Sequence, residues 1–318
     1  MVKKTFLKII LAAAVLFAAV CSAWHFGLSD AKVSVTVKSG DGALTVASNL
    51  KNNGLILSKN LFAAWAKISK SENKIKAGVY EFTQKDGMFK ILGILKEGSK
   101  NTAKFTVPEG SNIRQTAEII ASKIGIDKDR FIKTASDGKM EGYLMPETYF
   151  ADPASSEEKI IAMMRAEFDK KVTPEMYERA KEINVPMADI ITLASIVEKE
   201  AVKPQERAVI AAVFYNRLKK KIRLESCATV LYALGVNKAR LTIEDTRFES
   251  PYNTYRHSGL PPGPICSPGI ESIKAALYPE NTSSLFFVSA GGGRHLFAES
   301  LEEHIKNRNA ANKKNKRK

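Results

Sequence analysis

Between Ile190 and Glu200 the chain reads Ile-Ile-Thr-Leu-Ala-Ser-Ile-Val-Glu-Lys-Glu. A helix of this composition is apolar on more than one face through Val197, so it has to lie at the centre of a packed helical core. The two glutamates close that helix. Glu198 stacks over Ala194 and Ser195, one turn above Ile191, at the edge of a dry region whose small residues leave room for a ligand. Partial burial raises a carboxyl pKa, and a glutamic acid that holds its proton can donate it to a glycosidic oxygen. Glu200 meets Ile196 and Val197 in the same way, so helix geometry leaves both open. The competing reading makes them the solvent-side end of the helix, paired with Lys199 and Lys203.

The chain of 318 residues is 44% hydrophobic and 26% charged, which suits two folded parts. Its net charge of +15 invites a nucleic-acid reading, but the distribution argues against one. Lys3, Lys4 and Lys8 stand at one end. Lys306, Arg308, Lys313, Lys314, Lys316, Arg317 and Lys318 crowd the other, so residues 306–318 read as a basic disordered tail. Ile9 to Trp24 is one apolar stretch, extended by Phe6, Leu7, Phe26 and Leu28 to about 20 residues, enough to cross a bilayer. The preceding lysines keep the N-terminus in the cytoplasm. Residues 1–30 are therefore expected to be a single-pass anchor in the phospholipid bilayer, with a cleaved signal peptide or a lipoprotein cysteine at Cys21 as alternatives. Cys227 and Cys266 are free to pair or to stay thiols. The four histidines have no metal-ligand spacing, and Gly291–Gly293 lacks the Lys-Ser/Thr ending of a phosphate loop, so neither metal nor cofactor is expected.

Val37-Lys-Ser-Gly40 followed by Val46, Ala47 and Leu50 is echoed by Val107-Pro-Glu-Gly110 followed by Thr116, Ala117 and Ile120. Each copy reads as strand, glycine turn and amphipathic helix. A strand ending at Phe82 and a helix over Met88–Leu95 complete an α+β domain over 31–104, and residues 105–150 form a linking region. Helices then dominate in 151–305: Glu157–Lys170, Pro174–Ile183, Pro186–Ala201, Pro204–Lys221 and Ile270–Leu277. A hairpin of Leu285–Val288 with Arg294–Phe297 follows. Residues 241–270 are rich in proline and glycine and read as a rigid loop. There Tyr252-Asn-Thr-Tyr255 and Gly259-Leu-Pro-Pro-Gly263 form an aromatic, amide-bearing surface of the kind that binds sugars, to which Asn216 and Thr229 add polar contacts.

Taken in order, Val107-Pro-Glu-Gly110, Glu141-Gly-Tyr-Leu-Met-Pro-Glu-Thr-Tyr149, Leu193–Glu200, Phe214-Tyr-Asn-Arg-Leu218, Pro251–Tyr255, Gly259–Pro264 and Ser267-Pro-Gly269 resemble the YceG-like endolytic murein (lytic) transglycosylases over about residues 35–305. The resemblance implies an α+β architecture: one transmembrane helix, a small LysM-like domain and a mostly helical catalytic domain outside the cytoplasmic membrane. It implies Glu198 as the catalytic residue, with Glu147, Asn216, Tyr252, Asn253 and Tyr255 lining or supporting a substrate cleft, to which the residue pattern itself adds Thr229 and Gly263. The substrate would be peptidoglycan glycan strands, cut between N-acetylmuramic acid and N-acetylglucosamine with closure of a 1,6-anhydro ring. The partners would be the cell-wall synthesis enzymes at the membrane. Two places depart from the family's habit: Cys227-Ala228 replaces an Asp-Pro pair and Cys266-Ser267 an Ala-Asn pair. A water-using hydrolase would need a second carboxylate facing Glu198, for which Glu147 and Glu225 are the candidates. A non-catalytic peptidoglycan-binding scaffold would need no such glutamate.

Overall fold

The computed structural model describes residues 29–38, 40–99, 102–236, 238 and 241–315, and the chain divides into two compact units. The expected anchor lies outside the described residues. Among those described, no helix is long and apolar enough to cross a membrane.

The first unit takes the chain up to Lys104 together with Tyr149–Pro153. Strand β1 (Val33–Val37) is followed by helices α1 (Ala43–Asn52) and α2 (Lys59–Ile68), strand β2 (Gly78–Phe82) and helix α3 (Gly87–Glu97). β1 and β2 pair antiparallel, with Val35 opposite Tyr80 and Val33 opposite Phe82. The alternation of valines turns Val35 and Val37 onto the buried face with Tyr80 and Phe82. Val46, Leu50, Phe62, Ile91 and Leu95 from the helices close this core. α2 is capped by the Ser58 hydroxyl, which accepts from Leu61 N.

The second unit contains Phe105–Thr148 and Ala154 onward, so residues 105–148 are part of this body rather than a separate link. Short strands β3 (Ala103–Thr106) and β4 (Thr148–Ala151) pair. Helices α4 (Ile113–Ile124), α5 (Lys128–Asp137), α6 (Glu157–Lys171), α7 (Pro174–Glu182), α8 (Met187–Glu200), α9 (Arg207–Lys219), α10 (Cys227–Leu234) and α11 (Ile270–Leu277) lead to hairpin β5 (Phe286–Gly291) and β6 (Arg294–Ala298), then α12 (Leu301–Asn315). Every residue of α8 from Ile190 to Val197 is buried. Around it pack Ile210, Ala211 and Phe214 of α9, Ile273, Ala276 and Leu277 of α11, and Ile265 of the preceding loop. An all-round apolar helix thus becomes the axis of the unit, as its composition demands.

Helix α12 runs through residues 306–315 of the segment expected to be a disordered tail. The Ser300 hydroxyl accepts from Glu303 N while the Glu303 carboxylate accepts from Glu299 N, which starts the helix. His304 then stacks on Phe286, Asn307 donates to the Phe297 carbonyl, and Ala311 is buried. Contacts with the hairpin therefore order a segment whose charge alone suggests a solvated tail.

Candidate active site

Glu198 stands on the last turn of α8, with its side chain 7% exposed. Its Oε2 accepts two hydrogen bonds from the start of α11: the Gly269 N–H at 3.0 Å and the Ser272 hydroxyl at 2.7 Å. Both donors come from the positive end of that helix. Among the described residues its Oε1 has no such donor and faces Arg207 Nη2 at 3.6 Å. Arg207 in turn donates from Nε to the Ser272 Oγ at 3.0 Å. That occupies an acceptor site on the hydroxyl and directs its single proton at Glu198. The two carboxylate oxygens are thereby different: Oε2 accepts two hydrogen bonds, whereas Oε1 faces only the Arg207 guanidinium among the described residues.

The loop before α11 is laid along α8 by Ser195, whose hydroxyl accepts from Ile265 N at 3.0 Å and donates to the Thr192 carbonyl. Cys266 Sγ donates to the Ser195 carbonyl. This corrects one expectation: the small residues Ala194 and Ser195 are fully buried, and the space beside them is filled by the protein's own loop, not left for a ligand. The loop needs glycine opposite it as well. Gly142 has φ +84°, and a Cβ there would come within 2.5 Å of the Pro264 ring.

Val107-Pro-Glu-Gly110 is locked against the same loop. Gly110 N donates to the Ser267 carbonyl and Ser267 N to the Ser111 carbonyl, each at 2.9 Å. Lys199 Nζ donates to the Gly110 carbonyl. Glu109 is thereby carried to Arg207, its Oε2 3.8 Å from Nη2. Burial first, and then the charge of Glu198, pushes the Glu109 carboxyl above its ordinary value, against the pull of Arg207 and Lys171. Sequence reasoning noted this motif as a glycine turn and as part of the family pattern, and gave Glu109 no role of its own. The overlooked signal was an acidic side chain inside a Pro-Glu-Gly turn, where a loop is held rigid.

Two residues on, Glu200 points elsewhere, as about 100° per residue requires. It accepts from the Ser226 hydroxyl at 2.6 Å, and burial pushes its carboxyl up. Of the carboxylates nominated to face Glu198, Glu147 is bonded to Lys171 at 2.6 Å and to Thr148 N. Glu225 is exposed, at φ +53°, beside Arg217.

The remaining nominated residues make internal contacts within the second unit. Asn216 donates to the carbonyls of Thr282 and Ser284. Thr229 is buried between the Ser226 carbonyl and the Thr254 hydroxyl. Asn253, also buried, donates to the carbonyls of Thr246 and Phe248 and accepts from Tyr255 N, which shapes the rigid loop from within. Tyr252 packs on Tyr232 with centroids 5.0 Å apart, and a Cβ at Gly263 would stand 3.3 Å from its hydroxyl. The Tyr255 hydroxyl, its pKa raised by burial, lies 3.2 Å from Cys227 Sγ. Cys227 and Cys266 are both free thiols. Sequence reasoning also passed over Glu141. It accepts from Ile113 N and the Tyr232 hydroxyl, and burial pushes its carboxyl to about 7. Among the described residues, no group of three His, Cys, Asp or Glu side chains converges to hold a metal.

The chain matches the profile of the YceG-like family over residues 35–310. It is 35% identical to an endolytic murein transglycosylase of Bacillus subtilis (strain 168) over 305 residues, which covers 87% of this chain and 84% of the relative. An endolytic murein transglycosylase of Streptococcus pneumoniae serotype 2 is 29% identical over 318 residues. That alignment covers 86% of this chain and 57% of the relative, so the chain spans little more than half the streptococcal protein. The crystal structure of a yceG-like protein from Listeria monocytogenes superposes with a TM-score of 0.61 at 32% identity, over 87% of this chain and 99% of that one.

Proposed function

The chain belongs to the YceG-like family, and from that premise we propose that it is an endolytic peptidoglycan lytic transglycosylase with Glu198 as its single acid/base. The observation that carries the assignment is the division of labour between the two oxygens of Glu198. Oε2 is held by Gly269 N–H and Ser272 O–H, so Oε1 delivers the proton. That proton passes to the glycosidic oxygen as the bond from the muramyl C1 breaks. The C6 hydroxyl of the same muramyl unit bonds to C1, and its proton returns to Oε1. The attack is intramolecular, so effective molarity takes the place of a bound water. The product ends in a 1,6-anhydromuramyl residue, and cleavage inside nascent strands limits their length.

The reading extends to the rest of the chain. The strand–helix–helix–strand order of β1, α1, α2 and β2 supports a LysM-like wall-binding role for the first unit. The apolar stretch within residues 6–28 supports an anchor in the cytoplasmic membrane, N-terminus inside, holding the site outside it near the cell-wall synthesis enzymes. The test is cleavage of purified glycan strands by the detergent-solubilised full chain. Wild type should shorten the strands. Glu198→Gln, folded to the same melting temperature, should lose at least about 1,000-fold in rate, the scale at which removal of a catalytic group is felt. Undiminished cleavage by Glu198→Gln would refute the assignment.

A further inference from the structure

The second carboxylate on the Arg207 guanidinium is Glu109, and its setting differs from that of an incidental surface charge. Its turn is fixed by the two backbone bonds to Ser267 and by Lys199. Its carboxylate lies directly over the Cα of Gly269, where a Cβ would come within 2.0 Å of Oε1. Gly269 is the residue whose N–H holds Glu198. One side-chain-free position therefore serves both acids: its amide fixes the first and its bare Cα admits the second. Arg207 Nη2 completes the arrangement, 3.6 Å from Glu198 Oε1 and 3.8 Å from Glu109 Oε2. Both distances are too long for strong hydrogen bonds, so Arg207 balances charge without tying up either oxygen. The two side chains differ in access. Glu109 is 49% exposed where Glu198 is 7%, so a ligand reaching the free oxygen of Glu198 arrives beside Glu109.

We propose that Glu109 is a second working carboxylate of this site, whose ionised form stabilises the positive charge that develops at the anomeric carbon while Glu198 hands over its proton. The inference rests on the transglycosylase reading. Glu109 makes and breaks no bond: the proton leaves Glu198 for the departing oxygen, C1 exchanges that oxygen for its own O6, and the O6 proton returns to Glu198. With Glu198 protonated, Glu109 and Arg207 form a neutral pair, so the developing cation meets a preorganised negative end and no net opposing charge. The charged groups that act on Glu109 are Glu198, Arg207, Lys171 and Glu271. They leave its carboxyl above the ordinary value, so its ionisation should show as an acidic limb in the rate profile.

The experiment compares wild type, Glu109→Gln, Glu109→Asp and Glu198→Gln as full chains acting on purified glycan strands, with kcat, KM, the pH profile of kcat and Tm measured for each. Glu109→Gln should lower kcat about 100-fold, keep KM within about threefold and Tm unchanged, and abolish the acidic limb. Glu109→Asp, which keeps the charge, should recover at least about tenfold of the loss and retain the limb. If Glu109→Gln cleaves within about threefold of wild type, or if Glu109→Asp is as impaired as Glu109→Gln with the profile unmoved, Glu109 is structural and the proposal is overturned. The failures are separable. Inactive wild type or active Glu198→Gln sinks the transglycosylase reading, whereas normal Glu109→Gln beside dead Glu198→Gln sinks only the role of Glu109.

Discussion

Replacing Ser272 by alanine removes one oxygen and two bonds. The Ser272 hydroxyl donates to Glu198 Oε2 at 2.7 Å and accepts from Arg207 Nε at 3.0 Å, and the residue is fully buried, so water cannot substitute for it. The donated bond is strongest when Glu198 is ionised, the state reached as the proton passes to the leaving oxygen. A hydrogen bond to a charged group contributes about 1.5–3 kcal/mol. If that difference falls on the proton-transfer step, at about 1.4 kcal/mol per factor of ten the rate should fall between about tenfold and a hundredfold. Arg207 loses its tether to α11 as well, which places the effect toward the larger figure. The assay is single-turnover cleavage of glycan strands by Ser272→Ala and Ser272→Thr, with a thermal melt for each. Threonine keeps the hydroxyl and should recover part of the rate. A Ser272→Ala enzyme within twofold of wild type, at unchanged Tm, would show that the Oε2 donors do not matter and would remove the reason for assigning Oε1 as the proton carrier.

Glu200→Gln should leave the cleavage rate within about threefold, because Glu200 faces Ser226 and not the Arg207 cluster; kinetics beside Glu198→Gln distinguish the two acids that the sequence leaves equivalent. Gly269→Ala should fold, its φ of −70° being ordinary, yet its Cβ must expel Glu109, so a drop in kcat of at least about tenfold with little change in melting temperature is expected. Burial pushes the Glu141 carboxyl in the folded protein up to about 7, from the ordinary glutamate value of 4.5. Its contribution to stability is therefore complete below about pH 4.5 and lost as pH rises through about 7, a fall of about 3 kcal/mol. Urea melts from pH 5 to 8 should show that decline in wild type and a flatter profile in Glu141→Gln.

The second unit was legible where proline and glycine punctuate it. The expectation for α11 matches its observed limits, Ile270–Leu277, because Gly269 starts the helix and Tyr278-Pro279 ends it. Helix α8 was legible from composition alone. By contrast α2 was missed because its apolar residues point both ways: Phe62 and Ala66 are buried, while Leu61 and Ile68 are 64% and 73% exposed. That blurs the helical period. Helices α5 and α10 were missed as well. At the site, Glu198 could be nominated from one helix. Its surroundings could not, because Glu109, Arg207, Gly269 and Ser272 come from three distant segments that only the packing of the loop against Ser195 and Gly110 brings together. Glu147 and Glu225 were reasonable nominees by charge, but Lys171 and Arg217 engage them first.

The central claim is that Glu198 passes its proton to a leaving sugar while the substrate's own hydroxyl, not water, closes on C1. Cleavage of glycan strands in heavy-oxygen water, with mass analysis of the new ends, tests it directly. The account predicts 1,6-anhydromuramyl ends that carry no solvent oxygen. Reducing muramyl ends that have taken up the heavy isotope would contradict it.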